Sequence, residues 1–70
     1  GALQALGDMR RAKELAARAV ELAPENAGYR RLLGLVYRDA GLGANAKREL
    51  EMALRLDPQD TEAKAALRGL

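Results

Sequence analysis

Apolar residues recur at three- and four-residue spacing along nearly the whole chain, the period of an amphipathic helix. Ala12, Leu15, Ala16, Ala19, Val20 and Leu22 form one such stripe and predict a helix over 9–23. Leu32, Leu33, Val36, Tyr37 and Ala40 form the next, on a helix that starts after an Asn26 N-cap and runs to about residue 40. Ala46, Leu50, Ala53, Leu54 and Leu56 point inward from a helix over 44–57. Ala63, Ala66, Leu67 and Leu70 share a face of a last helix capped by Asp60 or Thr61. Ahead of these, Leu3 and Leu6 predict a short opening helix over 1–6 that stops at Gly7, because glycine readily takes the left-handed conformation that ends helices. Pro24 and Pro58 stop the two helices before them, since the residue preceding a proline is pushed out of helical geometry. Gly41 and Gly43 punctuate the remaining turn. β-branched residues are confined to Val20, Val36 and Thr61, so no strand is expected. The reading is an all-α chain of about five helices, with connections short enough to make neighbours antiparallel.

A second periodicity overlies the first. Pro24 and Pro58 are 34 residues apart, and the same shift superimposes Gly7 on Gly41, Ala12 on Ala46 and Lys13 on Lys47. It also superimposes Ala19 on Ala53, Leu22 on Leu56 and Leu33 on Leu67. A fixed period of this length in helical sequence marks stacked helix-turn-helix units. Such units bind through extended surfaces, so the expectation is a binding surface and not a catalytic pocket.

The run Leu33-Gly34-x-x-Tyr37, followed by Gly41, Ala46, Leu50, Ala53-Leu54, Leu56 and Asp57-Pro58, closely resembles the tetratricopeptide repeat. Gly34 and Ala46 are small where two helices of a unit approach closely, and Tyr37, Leu50 and Ala53 fill the space between them. By this resemblance 27–60 is one complete repeat, 1–26 the later part of a preceding one, and 61–70 a third opening helix or a terminal cap. The implied architecture is a single domain, a short right-handed α-solenoid of antiparallel helix pairs. Two positions depart from the family pattern. Arg30 stands where a large aromatic is expected, with Tyr29 beside it. Arg68 stands where a small residue would admit a second helix, which suggests that the last helix ends the array.

Composition narrows the function. The chain of 70 residues has no His and no Cys, its sequence contains no Ser, and its only hydroxyl side chains are Thr61, Tyr29 and Tyr37. The usual nucleophile–base pairs are therefore missing, as are the ligands preferred by zinc and soft metals, and neither an enzyme nor a cofactor site is expected. The absence of cysteine fits a reducing compartment, and a cytoplasmic protein is the expectation. The net charge of +2 is too small to argue for nucleic acid. Arg10, Arg11, Lys13 and Arg18 form a basic run, but Glu14 and Glu21 interrupt it and no aromatic is interleaved for base stacking. The longest apolar stretch, 32–37, is far short of a membrane span, and no charged leader followed by an apolar core opens the sequence, so no signal peptide is expected. Ala- and Arg-rich usage hints at a GC-rich bacterial genome. Asp57 and Asp60 flank a turn, and ordinary turn and cap roles explain both without a metal.

The resemblance also places a ligand. In tetratricopeptide repeats the first helix of each unit lines a concave face along which a partner peptide lies. Transferred to this sequence, that face offers Gly28, Arg31, Leu35, Arg38 and Asp39, extended by Gln4 and Ala5 on one side and by Glu62, Ala65 and Gly69 on the other. Arg31, Leu35 and Arg38 follow one another at i, i+4 and i+7 and share one face. Two guanidinium groups beside an apolar patch suit an acidic peptide; the competing reading is a pair of solvated charges neutralised by Asp39 and Glu62. The chaperone-clamp variant of the family is disfavoured: the matching positions hold Arg31, Leu32, Leu35, Glu62 and Ala66, with no asparagine. The expected function is a protein-interaction scaffold that binds a peptide segment in a helical groove. The alternative is a structural element that oligomerises through exposed repeat edges, with Leu3 and Leu6 at the open end.

Overall fold

The structure, a computed structural model, describes the backbone from residue 2 to residue 70 and the side chains from residue 7 onward. Among the described residues four helices follow one another: α1 (Ala2–Leu22), α2 (Ala27–Asp39), α3 (Gly43–Leu56) and α4 (Thr61–Arg68). No strand occurs among the described residues. Each helix packs on its chain neighbour, and α2 also touches α4. The molecule is a slab with principal extents of 38 × 28 × 17 Å.

The 34-residue period is realised hydrogen bond for hydrogen bond at the two proline turns. Ala23 N donates to Ala19 O at 2.9 Å, and Asp57 N to Ala53 O at 2.8 Å. Asn26 N then donates to Ala23 O at 3.0 Å, and Asp60 N to Asp57 O at 3.1 Å. Both turns close on an N-cap. Asn26 Oδ1 accepts from Tyr29 N at 3.0 Å, and Asp60 Oδ1 from Ala63 N at 3.1 Å. Of the two cap candidates for the last helix, Asp60 is the one used. Each cap satisfies an amide at a helix start that has no intrahelical acceptor, and is worth about 1 kcal/mol. The turn between α2 and α3 is of a different kind. Gly41 has φ +79°, its N–H donates to Arg38 O at 3.1 Å, and Leu42 N donates to Tyr37 O at 2.8 Å. This pair of bonds is the Schellman motif, whose left-handed residue favours glycine because a Cβ would crowd the carbonyl.

The sequence reading placed the same kind of break at Gly7, giving five helices; among the described residues there are four, because α1 runs straight through Gly7. Gly41 is the one glycine with a positive φ among the described residues. No neighbouring atom lies within 4 Å of where a Cβ at Gly7 would be, so no packing contact holds a turn there. Continuing α1 costs only about 1 kcal/mol for a glycine in a helix interior. The side chains of Leu3 and Leu6, which the sequence reading put at the open edge, lie outside the described residues, as do those of Gln4 and Ala5.

The core forms where α2 meets its neighbours. Leu33 of α2 is buried with Ala16 and Val20 of α1, and Ala17, Val36 and Tyr37 pack around them. On the other side, Leu50 and Ala53 of α3 are buried with Ala63 and Ala66 of α4, joined by Leu35, Leu54 and Leu67. Leu56, read as pointing inward, is exposed, and so are Leu15, Leu22, Leu32 and Leu70 of the other apolar stripes. Gly34 marks the closest approach of α2 to α3. A Cβ added there would lie 2.7 Å from Leu50 Cγ and 3.3 Å from Ala46 O. Leu50 is fully buried and has little room to retreat. Replacing Gly34 with Leu is expected to destabilise the domain by about 1–3 kcal/mol, read as a lower urea midpoint at unchanged slope. An unchanged midpoint would refute this packing.

Candidate functional site

The predicted binding face lies on α2 next to α4. Arg31, 33% exposed, directs Nη1 at Asp60 Oδ2 at 3.0 Å, and its Nε stands 3.4 Å from Glu62 Oε2. The two carboxylates differ in character. The Asp60 side chain is 2% exposed and is also held by the Ala63 amide, whereas Glu62 is 69% exposed. Asp60 is thus a built-in anchor that orients the guanidinium, and Glu62 a solvated neighbour. Leu35 is half-buried against the Leu50–Ala53–Ala63–Ala66 cluster, so part of its apolar surface is already used. Arg38 is exposed and its Nε lies 3.4 Å from Asp39 Oδ1. Gly28 is half-buried at the start of α2 beside the Asn26 cap, whose Oδ1 would sit 3.2 Å from an added Cβ. The structure therefore brings Arg31, Leu35 and Glu62 together, with Arg38 and Asp39 further along α2 and Gly28 at its beginning. Of the positions compared with the chaperone clamp, Ala66 is buried and Leu32 half-exposed.

Two larger indentations lie elsewhere. One of about 560 Å³ is lined by Gly43, Ala44, Lys47 and Glu51 of α3 with Leu67 and Leu70. Another of about 580 Å³ lies beside the turn 23–26. Among the described residues no cluster of three or more His, Cys, Asp or Glu is placed to hold a metal ion. No helix among them is long and apolar enough to cross a membrane.

No protein-family model, no curated protein and no solved structure matches the chain.

The polar feature that sequence reasoning missed is a part-buried ion pair between α2 and α3. Arg30 Nη1 donates to both carboxylate oxygens of Glu49 at 3.1 Å, and its Nε donates to Pro24 O at 3.1 Å. The side chains are 17% and 6% exposed. One guanidinium thus ties α2 to α3 and to the turn that precedes α2. The signal was present in the 34-residue register: Glu49 stands opposite Leu15 of the other unit, and Arg30 stands where an aromatic was expected. Each is out of place alone, and each answers the other. No buried side-chain nitrogen or oxygen is left without a partner among the described residues. Changing Glu49 to Ala leaves the half-buried guanidinium without its carboxylate and is expected to cost about 1–3 kcal/mol, whereas Arg30→Leu with Glu49→Leu recovers most of that loss. Equal denaturation midpoints for the single and double variants would contradict this account.

Proposed function

We propose that the chain is a protein–protein interaction module of the tetratricopeptide-repeat kind, a short right-handed α-solenoid that takes a peptide segment of a partner along α2 and α4. The supporting observation is the disposition of Arg31. Its guanidinium is oriented by the buried carboxylate of Asp60 and turns its Nε edge toward the exposed Glu62. A guanidinium carries donors on both edges, so Asp60 and a ligand carboxylate are accommodated together once the ligand displaces Glu62. Arg38 supplies a second, solvated charge further along the helix, and the exposed part of Leu35 an apolar contact between them. The partner segment is acidic. The module works in the cytoplasm of a bacterium, on the strength of its cysteine-free, Ala- and Arg-rich composition. Catalysis, cofactors, nucleic acid and membranes have no part in the proposal.

The test is calorimetric titration of residues 1–70 with an acidic peptide. Arg38→Ala is expected to weaken binding up to about fivefold, the scale of one exposed ion pair, and Glu62→Gln to strengthen it by removing the competitor. Raising the salt concentration should weaken binding in every variant. Affinity unmoved by either substitution would place the peptide elsewhere.

A second reading is a structural element that pairs through an exposed repeat edge. It is favoured by Leu15 and Leu22 on α1, which are 66% and 80% exposed. Stacked repeats bury their faces only against neighbours, so such an edge seeks a partner. Dependence of the solution mass or of a binding partner on these two leucines is the measurement that supports this reading, and indifference to both sinks it.

A further inference from the structure

Asp60 carries a charge that its cap does not require. The chain's own register supplies the comparison, because the place of Asp60 in the second proline turn is taken by Asn26 in the first. Asn26 Oδ1 accepts from Tyr29 N at 3.0 Å, and Asp60 Oδ1 from Ala63 N at 3.1 Å, so a neutral amide caps α2 as the carboxylate caps α4. The two residue types are about equally good caps. A carboxylate with 2% of its side chain exposed is costly to hold without a counter-charge, and capping gives no reason for one. The second oxygen gives the reason. Asp60 Oδ2 accepts from Arg31 Nη1 at 3.0 Å. Asn26 has no such bond: its exposed side chain makes the cap bond alone among the described residues.

One carboxylate therefore joins two parts of the α2–α4 face. Through Oδ1 it fixes the first turn of α4, and through Oδ2 it orients the Arg31 guanidinium on α2. The other contacts between these helices are softer. Leu35 packs against the cluster that contains Ala63 and Ala66, and Glu62, 69% exposed, stands 3.4 Å from Arg31 Nε. We propose that Asp60 couples the binding of an acidic ligand at Arg31 to the docking of α4 on α2. The guanidinium is set for a ligand only while the first turn of α4 sits on α2. A ligand held by that guanidinium holds α4 down in return, since coupling between two binding events is reciprocal. The two carboxylates on Arg31 then act in opposite senses. Charge counting treats them alike: one cation faces two anions, and neutralising either anion should favour an acidic ligand. Geometry separates them. Glu62 is a competitor, whereas Asp60 is a positioning residue whose loss leaves a long side chain free to turn, an ordering cost that the ligand must then overcome. The remaining pair of the face, Arg38 with Asp39, lies within α2 and does not bear on α4. The coupling rests on the reading of α2 and α4 as a groove for an acidic segment.

The discriminating substitution is Asp60→Asn. Asparagine keeps the cap, as Asn26 does, but it has one acceptor oxygen; with that oxygen on Ala63 N, its NH2 faces the donors of Arg31. An oligo-glutamate peptide with one central leucine is titrated into residues 1–70, and amide hydrogen exchange is followed along every helix. In the wild type the peptide is expected to slow exchange in α4 more than in α1. Asp60→Asn is expected to weaken binding by about fivefold or more and to abolish the selective protection of α4, while Glu62→Gln strengthens binding. Binding by Asp60→Asn as tight as the wild type, or tighter, reduces Asp60 to a nearby negative charge and overturns the coupling while leaving the groove. Should Asp60→Asn fail to fold, the wild type decides: protection spread evenly over α1 and α4, or absent although the peptide binds, overturns the coupling. A wild-type chain that ignores the peptide overturns the groove reading, and the coupling with it.

Discussion

The close approach of α2 to α3 at Gly34 is the constraint on which the rest of the molecule depends. With no side chain at Gly34, the fully buried Leu50 and the Ala46 backbone come within the space a Cβ would occupy. This brings Leu50 and Ala53 into register with Ala63 and Ala66 of α4, and the same helix α2 offers Leu33 on its other side to Ala16 and Val20. Two small clusters on either side of one helix replace the single large core that a chain of this size cannot build. Buried side chains are mostly alanine and leucine, so backbone proximity supplies the packing that aromatic bulk supplies elsewhere.

Polar interactions then set geometry that apolar contacts leave loose. Arg30 binds Glu49 and the Pro24 carbonyl at once, which fixes the angle at which the proline turn enters α2. Asp60 does the same at the second turn, capping α4 with one oxygen and holding Arg31 with the other. A leucine zipper of equal area would tolerate sliding, whereas a buried carboxylate with two directed partners does not, because a displaced charge loses its compensation. The second of these arrangements also orients the one guanidinium of the α2–α4 face that is held in place, linking the fold to the face on which a ligand would lie.

Helix α1 carries part of its apolar stripe uncovered. Leu15 is exposed where its register partner Glu49 in α3 is buried, Leu22 is exposed as its partner Leu56 is, and the helix continues through Gly7 where its counterpart turns at Gly41. The glycine does not break a helix by itself. It permits a break that tertiary packing must then stabilise, and no neighbour packs within 4 Å of where a Cβ at Gly7 would be.

The helical class, the two proline turns, the caps at Asn26 and Asp60, and the small-residue contact at Gly34 and Ala46 were all legible in the sequence, because each follows from local chemistry or from the 34-residue period. The face shared by Arg31, Leu35 and Arg38 was legible too, as helical spacing. The ion partners were not: Glu49 reads as an ordinary surface residue until the fold sets it against Arg30, 19 positions earlier, and Asp60 reads only as a cap until Arg31 crosses to it. Nor was the exposure of Leu15, Leu22 and Leu32 legible, since periodicity says which residues share a face and not whether anything covers it. Propensity and spacing are properties of a few neighbouring residues, and the sequence by itself determined what depends on them. Burial, charge pairing and the fate of Gly7 depend on which helix lies alongside, and only the tertiary structure decided those.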